Sequence, residues 1–282
     1  MFIYHLIKVF SIEQRIMESV KRGSSTIDWC ESNYSILPGI AEFYNTVSNV
    51  FFFLFPPLLW YLYRQYSRQV NNSINIMWLL FVAVGVSSVY FHATLSLVGQ
   101  LLDELSIIWV VMCGVAMWYP RRFYPKLLKG NRRKFKLMVF IFTMTSNVMA
   151  CIKPALNSFF MMPFVFPCIV VLYLEMKRIN CLRIKRLGVS CASLWIIAIA
   201  CWVNDKVFCE MWQSLSFPYL HCFWHLLVFI SAYTSVVLFS YFDAMNECPE
   251  MGPVLKYWPK DSWEYVGIPY VTLRCAGLKP KD

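Results

Sequence analysis

Phe217-Pro-Tyr-Leu-His221-Cys-Phe-Trp-His225-Leu-Leu-Val-Phe-Ile-Ser-Ala-Tyr-Thr-Ser-Val-Val-Leu-Phe-Ser-Tyr-Phe242 decides how this chain folds. The run is long enough to cross a bilayer as one helix, which takes about 20 apolar residues. On a helix, His221 and His225 share one face, one turn apart. Six further runs have comparable length and character: Ile40–Tyr63, Ile74–Leu97, Gln100–Tyr119, Phe135–Ile152, Ala155–Leu174 and Leu187–Val207. The expectation is therefore an all-α integral membrane protein with seven transmembrane helices. Composition agrees: 59% of residues are hydrophobic and only 15% are charged. Mean hydropathy is +0.51, and a water-soluble domain of this length carries a far more charged surface.

Loop charges set the orientation. Lys and Arg gather after span one (Arg64, Arg68), after span three (Arg121 to Lys136), after span five (Lys177 to Arg186) and in the C-terminal tail, whereas the intervening loops hold only Lys153 and Lys206. The positive-inside bias puts the four basic regions in the cytosol, with a lumenal N-terminus and a cytosolic C-terminus. Lys8, Arg15, Lys21 and Arg22 oppose this, and Met17 is an alternative start that removes two of those charges. Met1–Phe10 is short for a signal-peptide core and reads as a tail. The net charge of +10 thus faces anionic lipid and implies no nucleic acid. Residues 1–26 form an N-terminal tail, 27–243 the helical domain and 244–282 a Pro- and Trp-rich cytosolic tail.

Ionisable groups on three spans arrive at one depth. His92 lies near the lumenal end of span two, Asp103 in the first turn of span three, and His221 and His225 in the first turns of span seven. An ionisable residue inside a membrane span is costly and marks function by default. Three imidazoles with a nearby carboxylate form the ligand set of a catalytic zinc with an open position. Ser88, one turn before His92, has two readings: a back-bond to the preceding turn, or a hydroxyl aimed at an oxyanion. Asp103 has two as well, as a proton carrier or as a carboxylate orienting a histidine. Glu104 points away from it.

A second polar group precedes span one. Asp28, Glu31, Asn33 and Glu42 supply oxygen atoms of the kind that calcium takes, although acidic residues in a lumenal segment are also commonly just solvated. Cys30 and Cys209 both fall on the lumenal side, where an oxidising compartment permits a bridge; topology alone leaves that pairing open.

Asp28-Trp-Cys-Glu-Ser-Asn-Tyr34, Ala41-Glu-Phe-Tyr-Asn-Thr-Val-Ser-Asn49, Ser88-Val-Tyr-Phe-His-Ala-Thr-Leu95, Gln100-Leu-Leu-Asp-Glu-Leu105 and Pro218-Tyr-Leu-His-Cys-Phe-Trp-His225 together resemble the alkaline ceramidases, most of all the Golgi-type (type 2) enzymes. The likeness runs from Ile27 to about Cys275 and includes Met117-Trp-Tyr-Pro-Arg-Arg122 and Gly252-Pro-Val-Leu-Lys-Tyr-Trp-Pro259. It implies a zinc amidohydrolase (an N-acylsphingosine amidohydrolase) that cleaves ceramide to sphingosine and a fatty acid within a Golgi membrane, its site toward the lumen. It places zinc on His92, His221 and His225, a catalytic serine at Ser88 and a water-directing aspartate at Asp103. It places calcium on Asp28, the Trp29 carbonyl, Glu31, Asn33 and Glu42, and a disulfide between Cys30 and Cys209. The partners expected are ceramide and membrane lipids, with no obligate protein partner. Two rivals remain: a non-catalytic zinc-containing receptor with seven helices, and a related phospholipid or GPI-lipid hydrolase. Four histidines are too few for a di-iron desaturase.

Overall fold

The computed structural model describes Gln14, residues 17–154 and 157–275, with side chains from 157 to 164 excepted. The Met1–Phe10 tail and the charges Lys8 and Arg15 lie outside the described residues. Helices dominate. The first apolar run opens as α1 (Phe43–Val47), tightens into a 3₁₀ turn at Ser48–Val50, continues as α2 (Phe51–Leu62) and ends in α3 (Arg64–Gln69). There follow α4 (Ile74–Thr94), α5 (Leu97–Trp118), α6 (Arg132–Ile152), α7 (Asn157–Arg178), α8 (Leu182–Val207), α9 (Cys209–Ser214) and α10 (Leu220–Glu247). Among the described residues, five helices are long and apolar enough to cross a membrane: α4, α5, α6, α8 and α10. Large apolar side chains such as Leu79, Val86, Ile141, Val189 and Ile196 face outward along these helices, as expected where the surrounding solvent is hydrocarbon.

The core is aromatic. Tyr63, Tyr66, Trp78, Phe81 and Phe229 are each almost fully buried, and they join α2, α3, α4 and α10. Gly85 permits the α2–α4 approach: a Cβ there would lie 2.7 Å from the Phe52 Cβ.

The C-terminal stretch departs from the all-helical expectation. Pro253–Trp258 (β1) and Ile268–Leu273 (β2) pair antiparallel, Leu255 opposite Val271. The strands alternate, with Leu255, Tyr257 and Val271 in the main core and Lys256 and Trp258 outward, the period of two that a half-buried strand requires. The Tyr233 hydroxyl, midway along α10, donates to the Pro269 carbonyl. Gln65 receives the Leu273 N–H at 3.2 Å, and Arg183 bonds both Asp261 and Glu264. The hairpin is part of the bundle, not a loose tail.

Candidate metal centre and active site

A two-residue link creates the site. Leu95 adopts a left-handed conformation at the end of α4, and Ser96 caps α5 by accepting the Gly99 N–H at 3.1 Å. The chain thus reverses within one turn and lays α5 back along α4. Asp103, roughly two turns into α5, comes to face Ser88, roughly two turns before the end of α4, so that the hydroxyl bears on the carboxyl. Gly99 makes the reversal possible, because a Cβ would sit 2.9 Å from the Phe91 Cα.

The N-terminal segment closes the same end. The last carbonyls of a helix lack partners within it. Here Glu42 N donates to His92 O at 3.0 Å, Ala41 N to Ala93 O at 3.1 Å and Gly23 N to Thr94 O at 3.0 Å. The disulfide between Cys30 and Cys209, 179 positions apart in sequence, fastens this segment to the start of α9. Asp205 completes the junction. One carboxylate oxygen takes the Cys30 N–H and the other the His221 N–H, both at 3.1 Å.

His92, His221 and His225 come together at this end, all three buried, with one ligand atom from each within 4.8 Å of the others. Their rings are held by residues on α1 and the 3₁₀ turn. His92 Nδ1 pairs with Glu42 Oε2, and His225 Nδ1 with Ser48 Oγ at 2.7 Å. Trp29 stacks on His221, ring centroids 3.7 Å apart. With both Nδ1 atoms engaged, His92 and His225 present Nε2 to one another and to His221. The His92 Nε2 and the His221 Nδ1 have no hydrogen-bond partner although both are buried. An unmet buried polar atom costs about 1–3 kcal/mol, and a shared cation removes that cost. The donor set fits a metal ion.

Glu42, Ser48 and Asp205 were not read from the sequence as holding this site. The signal for Glu42 and Asp205 was available, since a carboxylate in an apolar run needs a partner. Glu42 is the carboxylate that pairs with a histidine of the cluster, at His92 Nδ1, and Asp103 faces Ser88.

The proposed calcium ligands already hold partners within the protein, some of them one another. Asn33 donates its amide to both oxygens of Asp28 at 3.1 and 3.0 Å. Glu31 receives the N–H groups of Tyr44 and Asn45 at 2.7 and 2.8 Å, and Glu42 receives Trp29 N–H at 3.0 Å. Burial pushes the Asp28 carboxyl up, with the Asn33 amide opposing and the Glu42 charge adding to the rise. Burial likewise raises Glu31, against the pull of the two backbone donors.

Comparison with known proteins matches the sequence to a family. The ceramidase family model matches residues 21–272. An alkaline ceramidase of Drosophila melanogaster is 47% identical over 260 residues, covering 92% of this chain and 92% of its own. Alkaline ceramidase 1 of Homo sapiens is 38% identical over 251 residues, 89% of this chain and 95% of its own. An alkaline ceramidase of Caenorhabditis elegans is 31% identical over 251 residues, 87% of this chain and 92% of its own. The chain belongs to the ceramidase family, as an enzyme of its alkaline ceramidase group.

Proposed function

We propose that this chain is a zinc-dependent intramembrane amidohydrolase that splits ceramide into sphingosine and a free fatty acid. The observation that carries the reading is the buried imidazole cluster, with two unpartnered ring nitrogens beside the Ser88–Asp103 pair, in a chain whose relatives are alkaline ceramidases. His92, His221 and His225 hold the ion. When bound, zinc in such a site supplies a Lewis acid and an acidified water near neutral pH.

The remaining work falls to the chain's own groups. Asp103 takes a proton from the attacking water as the carbon–oxygen bond forms, and returns one to the amide nitrogen as the carbon–nitrogen bond breaks. The Ser88 hydroxyl donates to the carbonyl oxygen, where negative charge gathers. Glu42 and Ser48 keep the His92 and His225 rings from turning. Ceramide has two long chains and a small head group, so it stays in the bilayer, and a site between helices suits a substrate that arrives sideways.

The reading includes seven spans, formed by α1–α2 as one, α7, and the five long apolar helices. The N-terminus is lumenal, the C-terminus cytosolic and the membrane that of the Golgi. The units are a tail to residue 26, the domain 27–243 and the segment 244–282, whose strands share the domain's core. Calcium sits on Asp28, the Trp29 carbonyl, Glu31, Asn33 and Glu42. It relieves the crowding of three carboxylates and steadies the segment that carries Glu42 to His92.

The test is sphingosine release from ceramide by the purified full-length protein, with and without a metal chelator. Release that stops with chelator and returns with zinc supports the reading; undiminished release overturns the zinc assignment. No release from folded, metal-loaded protein overturns the amidase. In the same assay Asn33→Ala, which does not touch a histidine, should lose the response to added calcium, and an unchanged response counts against that site.

A further inference from the structure

We propose that a second site, at the opposite end of α4 from the histidines, binds an anionic glycerophospholipid. An open cavity of about 810 Å³ lies between α2–α3 and the first half of α4. From Asn75 to His92 is roughly 25 Å along a helix, so this site is separate from the imidazole cluster.

The two walls of the cavity change character together. Along α2 and α3 the lining passes from Phe53 through Trp60 and Tyr61 to Arg64 and Arg68. Along α4, which runs the other way, Val82 and Leu79 lie at the apolar end, and Asn75, with Asn72 just before the helix, at the polar one. Apolar, then aromatic, then cationic is the sequence of environments through one leaflet, with Trp and Tyr at the headgroup level. Placing that leaflet on the cytosolic side rests on the orientation proposed above; the binding itself does not.

Charge selects the occupant. Arg64 and Arg68 are one turn apart on α3, and no acidic residue lines the cavity. Neither arginine makes a salt bridge among the described residues. Arg64 lies over the Tyr61 ring at 4.3 Å, which leaves the guanidinium edge open to a bidentate phosphate. Ceramide carries no anion, and sphingosine is a cation that these arginines repel.

Asn72 and Asn75 add amide groups beside the arginines at the polar end, where a headgroup would lie. The volume lies within the range of small-molecule pockets, room for a headgroup and the upper part of its chains.

The experiment titrates the purified full-length protein in detergent with phosphatidylserine and with phosphatidylcholine, reading bound lipid by native mass spectrometry. The expected result is one saturable phosphatidylserine adduct at least about fivefold tighter than phosphatidylcholine. In R64Q/R68Q the preference should fall below about twofold, whereas R64K/R68K, which keeps the charge, retains part of it. Equal binding of the two lipids by the unaltered protein overturns the proposal, as does a preference that survives in R64Q/R68Q. The readout does not depend on ceramide turnover, so it stands or falls apart from the amidase reading.

Discussion

Two buried polar clusters sit at opposite ends of the bundle, and they are built on opposite terms. In the one near the hairpin every bond is closed. Trp118 Nε1 donates to the Tyr66 hydroxyl at 3.1 Å, that hydroxyl donates to Asp243 at 2.8 Å, and Arg132 lies 3.5 Å from the same carboxylate while also reaching Glu247. In the histidine cluster the rings are clamped from behind by Glu42 and Ser48, yet nitrogens are left unmet toward the centre. A satisfied network holds helices in register. A clamped but unsatisfied one stores a demand for a ligand, which is what separates a site from a strut.

The sharpest way to break this contrast is His221→Ala. Removing a ligand should abolish metal retention and lower ceramide hydrolysis by at least about 10³-fold, more than one lost transition-state donor costs. Metal content by mass spectrometry and turnover should fall together, with the protein still folded. Full turnover in this variant would mean that the histidines are structural and the contrast false. Ser88→Ala comes next. It removes one donor to the reacting oxygen and leaves the metal in place, so turnover should drop about 10²–10³-fold at unchanged metal content. Loss of metal in that variant would move Ser88 from the chemistry to the scaffold.

How much of this was legible differs between the same two ends. The histidine end was readable because its parts obey strong rules. Apolar length gave the long helices, and the directions expected from loop charge put His92, Asp103, His221 and His225 at one depth; the structure brings the three histidines together. What escaped was the support around them. Asp205 and Glu42 were each single carboxylates in long runs, and nothing local says which backbone N–H or imidazole a carboxylate 50 or more residues away will meet. The hairpin end was read less well. Val254-Leu-Lys-Tyr-Trp258 does alternate, but a six-residue strand between prolines carries a weak signal. Tyr233 and Tyr66 looked like ordinary membrane aromatics until the hairpin supplied the Pro269 carbonyl and α10 supplied Asp243. The first apolar run was correct in place and too simple in form. Pro56 and Pro57 have no N–H to offer Phe52 and Phe53, and the stretch before them tightens at Ser48–Val50, where Ser48 turns to His225.

The smallest expected effect tests the other half of the contrast. Tyr66→Phe removes one oxygen from a buried network, leaving the Trp118 N–H without its acceptor and Asp243 without one donor. The cost should be about 1–3 kcal/mol of stability, visible as an earlier thermal unfolding transition followed by tryptophan fluorescence. Hydrolysis per folded molecule should not change, because Tyr66 lies before the start of α4 and the histidine cluster gathers at its other end. If turnover falls while stability holds, the closed network is coupled to the chemistry along α4 or α10, and the two ends must be treated as one device. If stability alone falls, the division stands: one cluster binds helices to each other, the other binds what the protein acts through.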